Sequence, residues 1–399
     1  MTWRFDTRVV HFRQKGLERE TPKAPPIYQT SAFAFSDLDE LEAYFAGERQ
    51  YLYTRFRNPN ADDFARGVAA LEGGEDGVAA ASGMAAILAA TLAVVKPGER
   101  ILCPEEVYGG TYHLFTHELA RLGIGVDFAP ANDVDAFARA FTPETRLVFL
   151  ETISNPLLRV PPLKELAALA RERGAVVVVD NTFATPYLAR PLEWGAHLVV
   201  HSATKFLAGH SDVTAGVVVG ERHLVKRARE IIAAYGCHLN PFEAWLAARG
   251  LKTLSVRMAR HCENAMRMAR WLAARPAVAR VYYPGLSEDD GERVRTLLGG
   301  RGGALVTFRL REGTDVGAFF RGLSWIKLVP TLAGVETTVA HPASTSHRAL
   351  PPARRRAVGV TDEVVRLSVG LEDPADICDD LARGLAAAEG QTGAIAQSD

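Results

Sequence analysis

Cysteine is scarce in this chain. Its four residues, Cys103, Cys237, Cys262 and Cys378, are scattered through 399 positions. They form neither a zinc-ligand spacing nor a disulfide framework, which points to a reducing, cytoplasmic setting with free thiols. No apolar run reaches the length of a membrane span, and the N-terminus, MTWRFDTRVV, has no signal-peptide core. An excess of one charge is missing as well: 46 basic residues face 47 acidic ones. That balance argues against nucleic acid or an anionic membrane as the main partner. There is no internal repeat, and the one low-complexity block is the polar tail 390–399, expected to fray. The length is too great for one simple core and suits two domains, or a large domain with an extension.

What the chain does have is one short stretch, VVHSATKF, in which an apolar run ends in Ser202-Ala203-Thr204-Lys205. Burying an ammonium without a partner is costly. A lysine just past a buried strand becomes useful if desolvation frees its amine for condensation with an aldehyde. Ser202 and Thr204 place two hydroxyl donors before it, which suit a phosphate. Aldehyde plus phosphate describes pyridoxal 5'-phosphate. From these four positions alone, a surface lysine in an ordinary loop fits as well. A second stretch, AVVVVD, reads as a central parallel strand ending in Asp180, 25 residues before Lys205. Parallel sheets bind ligands at the carboxyl ends of their strands, and a pyridoxal cofactor needs an acid for its ring nitrogen and a lysine for its aldehyde.

Elsewhere the pattern alternates. Residues 1–58 lack a steady period, are broken by Pro22, Pro25 and Pro26, and hold one short helix at 38–45, capped by Ser36 or Asp37. They read as an arm that packs on another subunit. Strands are expected at 77–81, 100–103, 125–128, 146–150, 175–180 and 213–219, and helices at 83–95, 112–122, 133–141 and 163–173, an alternation that implies a mostly parallel sheet. A long helical stretch from Asn240-Pro241, bent near Gly250, leads to strands at 278–283, 303–310 and 364–369 and helices at 316–323 and 374–388. That set suits an antiparallel sheet with helices on one side. The expected division is an arm 1–58, a large domain 59–250 and a C-terminal domain 251–399.

Several strand ends carry polar residues. Ser82-Gly83-Met84 opens a helix whose first amides and dipole favour an anion, though a lone Ser-Gly is often only a cap. Tyr108 follows a strand and fits either a ring stacked on a flat cofactor or a core tyrosine. Asn155 lies in a polar cluster after 146–150. Tyr53 and Arg55 share one face of an extended segment; on spacing alone, a solvated arginine beside a packed tyrosine fits as well. Arg366 sits between apolar neighbours in VVRLSVGLED and wants a carboxylate, from a substrate or from an internal salt bridge. His341 and His347 invite a metal reading, but no acid or cysteine pattern completes it, so no metal is expected.

Together with VVVVDNTFATP and GHSDVTAG, these residues resemble the Cys/Met-metabolism family of pyridoxal-phosphate enzymes, over about residues 5–385. The family holds γ-lyases, γ-synthases, β-lyases and homoserine sulfhydrylases. The resemblance implies an α/β chain of fold type I, like aspartate aminotransferase, with a mostly parallel large-domain sheet and a smaller α+β C-terminal domain. It implies that Lys205 binds the cofactor and moves protons, that Asp180 meets the ring nitrogen, and that Tyr108 stacks on the ring and acts as acid and base. Gly83, Met84, Ser202 and Thr204 hold the phosphate, aided by Tyr53 and Arg55 from a neighbouring subunit. Asn155 bonds the phenolic oxygen, and Arg366 holds the substrate carboxylate with Thr331, where the family usually has serine, beside it. The implied assembly is a homotetramer of dimers with shared sites.

The same groups serve γ-elimination, giving a 2-oxo acid, ammonia and a thiol, and γ-replacement on an acylated homoserine. Gly110 stands where methionine γ-lyases carry cysteine, and Pro330 where γ-synthases and cystathionine γ-lyases carry glutamate, so neither signature is met. γ-Elimination from cystathionine or methionine is the first expectation and a γ-synthase or sulfhydrylase the second, with β-elimination as a side activity. An aminotransferase and a non-catalytic pyridoxal-phosphate-binding regulator stand as alternatives.

Overall fold

The computed structural model describes residues 3–11, 22–348 and 350–390; apart from Gly390, the tail expected to fray lies outside them. The chain divides into two compact units. One takes the residues up to Glu105 with Thr111–Thr152 and Pro162–Ser255, and the other takes Glu106–Gly110, Ile153–Pro161 and the chain from Val256 onward. The described arm residues fall in the first unit.

The first unit is built on seven strands: β1 (Asp76–Ala80), β2 (Arg100–Pro104), β3 (Gly125–Ala129), β4 (Thr145–Glu151), β5 (Val176–Asp180), β6 (Leu198–Ser202) and β7 (Gly216–Gly220). Their order is β1-β7-β6-β5-β4-β2-β3. β7 runs antiparallel to both neighbours, and the other pairs are parallel. Val177, Val178, Val179, Val199, Val200, Val217 and Val218 are at most 2% exposed. Burying each such side chain favours folding by about 1.5–3 kcal/mol. The β-branched runs therefore form the middle of the sheet, and their last residues reach its carboxyl edge.

Several boundaries differ from the sequence pattern for identifiable reasons. β7 begins at Gly216, not at 213, because the Ala215 backbone is bonded both ways to the Thr204 hydroxyl instead of extending a ladder. The helix expected at 112–122 is three pieces: Gly109–His113, a π-helical turn Leu114–Glu118 and a 3-10 turn Ala120–Leu122. The wide turn closes through Leu119 N to Leu114 O at 2.9 Å and keeps both Phe115 and Leu119 buried. The long helical stretch is two helices, Pro241–Leu251 and Leu254–Ala273. Gly250 is there for close packing: a Cβ would lie 2.1 Å from Ala208 O.

The helix Pro59–Glu72 starts with Pro59 after an Asn58 cap and ends at Gly73 with φ 79°. Asn60 within it accepts from Tyr28 N at 2.8 Å and donates to Pro26 O at 2.7 Å, while Trp245 Nε1 donates to Pro25 O at 2.9 Å. The described part of the arm is thus tied to its own first unit. Its helix Leu38–Phe45 is capped by Asp37.

The second unit carries β8 (Val278–Tyr282), β9 (Leu305–Leu310), β10 (Lys327–Leu328), β11 (Thr338–Ala340) and β12 (Val364–Ser368) in the order β10-β11-β12-β9-β8. All pairs are antiparallel except β10 with β11. Met268, Phe308, Phe319, Leu367, Ile377 and Leu381 share one core, joining this sheet to the helices Leu254–Ala273, Val316–Gly322 and Pro374–Ala388. β10 and β11 are two and three residues long, too short for alternation to reveal them.

Candidate active site

In the first unit the candidate residues gather at the carboxyl edge of β5 and β6. Ser82 caps the helix Gly83–Leu92, its hydroxyl accepting from Ala85 N at 3.1 Å. Gly83 packs directly on β6: a Cβ there would come within 2.6 Å of Ser202 Cβ and 2.8 Å of Ser202 Oγ. A Cβ on Gly216 would lie 2.0 Å from Ser82 O. Two glycines therefore seat this helix start against β6 and β7, with its free amides beside the Ser202 hydroxyl. Such a cradle suits a phosphate. Thr204 is nearby in sequence, but its hydroxyl is bonded to Ala215, donating to the carbonyl at 3.2 Å and accepting from the amide at 3.0 Å. Lys205 sits in the turn that follows, half-buried, its amide donating to Ser202 O at 3.1 Å.

Asp180 ends β5. Its carboxylate accepts from Thr182 N at 2.9 Å, and the Thr182 hydroxyl accepts from Ser202 N at 2.8 Å, tying the ends of β5 and β6 together. Burial pushes the Asp180 carboxyl above its ordinary range; hydrogen bonds from Thr182 and the charge of His201 act the other way. Among the described residues no lysine or arginine forms an ion pair with Asp180, so a protonated ring nitrogen would supply the missing positive charge. The phosphate cradle and this acid are what the cofactor requires at its two ends, and the residues fit it.

Tyr53 and Arg55 lie in the same unit. Tyr53 is exposed, and the Arg55 guanidinium stands 5.7 Å over its ring and 4.6 Å over Phe56, donating to Ala233 O at 2.9 Å. The segment is a turn and not extended, Phe56 N and Arg57 N both donating to Tyr53 O at 2.9 and 3.2 Å, so it is this turn and not strand alternation that brings the guanidinium to the Tyr53 ring.

The second unit gathers a different set. Arg366 on β12 is 3% exposed, and its Nη1 donates to Asn155 Oδ1 at 2.8 Å. Burial lowers its pKa to about 10, with Tyr108 acting the other way. No carboxylate among the described residues pairs with it. This is a buried cation with a neutral partner, a ready receptor for a carboxylate. Since Asn155 gives its oxygen to Arg366, its NH₂ end is the one that can donate to an oxygen elsewhere. Tyr108 is 37% exposed, and its neighbour Gly109 touches the chain at Ser346: a Cβ there would lie 2.1 Å from Ser346 O. Thr331 is half-buried; two residues on, Ala333 N donates to the buried Ser368 hydroxyl at 2.8 Å, fixing that loop to β12.

Two participants were not singled out from sequence. Thr182 could have been found as an Asx-turn partner two residues beyond Asp180. His347, weighed only as a metal ligand, is 2% exposed, bonds Ser346 Oγ through Nδ1 at 2.9 Å and the Asn155 backbone, and has its pKa lowered to about 4 by burial and Arg366. His341 is held by Ser344 Oγ and Asp362 O, each at 2.7 Å.

A mostly parallel sheet with a lysine beyond one strand, an acid at the end of its neighbour and a phosphate cradle beside them defines a fold-type I pyridoxal-phosphate enzyme. The sequence profile of the family described as Cys/Met metabolism PLP-dependent enzyme matches residues 6–386. L-methionine gamma-lyase from Pseudomonas putida is 39% identical over 387 residues, covering 96% of this chain and 97% of that protein. O-succinylhomoserine sulfhydrylase from Pseudomonas aeruginosa is 40% identical, covering 96% and 95%. The solved structure of cystathionine gamma-lyase from Lactobacillus plantarum complexed with L-serine superposes with a TM-score of 0.91 at 35% identity, covering 97% of this chain and 100% of that one. The chain belongs to the Cys/Met metabolism family of pyridoxal-phosphate-dependent enzymes.

Proposed function

We propose that this protein catalyses γ-elimination from sulfur amino acids of the methionine and cystathionine type, releasing a thiol, 2-oxobutanoate and ammonia. Bound pyridoxal 5'-phosphate supplies an aldehyde that condenses with amines and a ring that accepts electrons from a carbon losing its proton. Lys205 carries the cofactor and moves protons at Cα and Cβ of the substrate. Asp180 keeps the ring nitrogen protonated. Gly83 and Met84 amides with the Ser202 and Thr204 hydroxyls hold the phosphate, Thr204 by sharing a hydroxyl now bonded to Ala215. Arg366, with Thr331 beside it, fixes the substrate carboxylate, and Asn155 donates its NH₂ to the cofactor's phenolic oxygen. Tyr108 stacks on the ring and gives a proton to the departing sulfur.

The observation that carries an amino-acid substrate is the buried Arg366 guanidinium, whose partner is an amide oxygen rather than a carboxylate. The similarity to a methionine gamma-lyase over nearly the full chain supports elimination. The similarity to an O-succinylhomoserine sulfhydrylase supports γ-replacement on an acylated homoserine as the second reading, while glycine at 110 and proline at 330 match neither signature. One substrate panel separates the two: methionine, cystathionine and O-acetylhomoserine, each with and without added thiol, with thiol, 2-oxobutanoate and ammonia assayed separately. Elimination gives 2-oxobutanoate and ammonia in equal amounts without added thiol. A product that forms only with thiol and acylated homoserine would overturn the first reading.

Tyr53 and Arg55 reach the cofactor phosphate of a neighbouring copy, so the site is shared within a dimer, and two dimers form a tetramer. The exposed arm residues Leu38 and Phe45, 76% and 67% accessible, support a covering copy. That none of the four cysteines is in a disulfide supports a cytoplasmic location. Among the described residues no helix is long and apolar enough to cross a membrane.

A further inference from the structure

Thr331 lies in the segment between β10 and β11, which is fastened to β12 through a strained residue. Side chains alternate along β12. Val365 and Leu367 enter the core of the second unit, so Arg366 and Ser368 stand together on the other face, 3% and 2% exposed. The Ser368 hydroxyl accepts from Ala333 N at 2.8 Å. Ala333 is 1% exposed and has φ 74°, in the left-handed region that a residue with a Cβ rarely adopts. Val329 N donates to Val339 O at 2.9 Å, so ties at 329 and 333 bracket Pro330, Thr331 and Leu332. Beyond them the segment is held again: Leu371 N donates to Val335 O at 2.8 Å, and Glu372 accepts from Thr337 N at 2.6 Å and from the Thr337 hydroxyl at 2.7 Å.

The bonds at 335 and 337 already fasten the segment to the chain beyond β12, so holding the fold does not call for a left-handed alanine just before them. Backbone strain of this kind persists only where its surroundings enforce it, and it collects at ligand sites. Here the enforcing group is one hydroxyl, on the strand face that presents Arg366, about 7 Å away along the strand. The strained residue follows closely on Thr331, and Pro330 on the other side has a fixed φ. A change of φ at 333 is therefore taken up by Thr331 and Leu332. We infer that Ser368 is a positioning residue for the substrate end of the site: through Ala333, its hydroxyl sets where Thr331 stands relative to Arg366, and so shapes the seat of the substrate carboxylate.

This rests on the reading that Arg366 and Thr331 receive the carboxylate, so Arg366→Ala is measured beside the test variants. Holoprotein of the wild type, of Ser368→Ala, of the Ser368→Ala/Ala333→Gly double variant and of Arg366→Ala is assayed for kcat and KM with L-methionine and with O-acetylhomoserine plus thiol. Each apoprotein is also titrated with pyridoxal 5'-phosphate. Ser368→Ala is expected to raise KM about tenfold, the upper end for one hydrogen bond. Its cofactor affinity should be unchanged, since the phosphate cradle and Asp180 belong to the first unit. Glycine adopts positive φ without strain, so the double variant keeps the path of the segment without the hydroxyl, and its KM should return to within about threefold of wild type. A variant that merely weakened the fold would not be repaired by losing a second side chain. Wild-type KM in folded Ser368→Ala overturns the inference, and so does a raised KM that Ala333→Gly fails to reverse. If Arg366→Ala also keeps the wild-type KM, the reading of the carboxylate seat fails; if Arg366→Ala alone raises it, only the role of Ser368 fails. Should Ser368→Ala not fold, Ser368→Cys takes its place, a near-isostere whose sulfur is a weaker acceptor; an unchanged KM there overturns the proposal.

Discussion

Arg366 and Gly83 show how single side chains set what this site can hold. The guanidinium is enclosed by β12 and its neighbours with an amide oxygen as partner, and a carboxylate completes it. Arg366→Ala is therefore expected to raise KM for the amino-acid substrate about 100-fold, in the range of 2–5 kcal/mol typical for one half of a buried charged pair. Steady-state kinetics checks this; an unchanged KM would remove Arg366 from the binding site. Gly83→Ala forces a Cβ to within 2.6 Å of Ser202, which pushes the helix start away from β6. Cofactor titration of that apoprotein should show weaker binding, and an unchanged affinity would mean that the cradle tolerates the shift. The candidates in these motifs were legible because lysine, aspartate and arginine are conspicuous beside apolar runs. Ala333 and Ser368 were not, because 35 positions separate them and neither interrupts a periodic pattern in a way that names its partner. Thr204 is a different case: its type suited a phosphate, yet its engagement with Ala215 depends on the path of the chain eleven residues later.

At the scale of elements, strands announced themselves where burial is complete on both faces. β5 reads VVVVD and lies in the sheet as an apolar run should. The same run in β7, GVVVG, looks no different but pairs antiparallel with both neighbours, because composition records burial and not direction. The π-helical turn at Leu114–Glu118 escaped for a similar reason: one extra residue in a turn leaves the apolar spacing nearly helical. In the second unit, two buried histidines make the packing pH-sensitive. His261, on the helix Leu254–Ala273, bonds Val369 O at 2.7 Å; burial holds it, like His347, at a pKa of about 4. Both stay neutral when folded, while the unfolded chain takes up protons near pH 6.5. Stability is therefore full above that pH and falls as pH drops toward 4, by up to about 1.4 kcal/mol per pH unit for each group. Urea unfolding at pH 7.5 and pH 5 measures the fall, which should be smaller in His261→Asn; equal falls would exclude His261 as a contributor.

At the scale of the whole molecule, the two units and their strand-rich and helix-rich parts follow from the alternation of β and α segments along the chain. The assignment of Glu106–Gly110 and Ile153–Pro161 to the second unit does not, since loops of glycine and proline carry no signal of where they pack. A shared site makes a prediction about assembly. Arg55→Ala should retain cofactor poorly, and mixing it with Lys205→Ala, each inactive alone, should restore part of the activity as hybrid dimers form. No recovery in verified hybrids would contradict sharing. The central claim, that one amine at position 205 carries the cofactor, is tested most directly by borohydride reduction of the purified holoprotein followed by peptide mapping. The account predicts a single pyridoxyl-labelled peptide containing Lys205; a label on another lysine, or none at all, would contradict it.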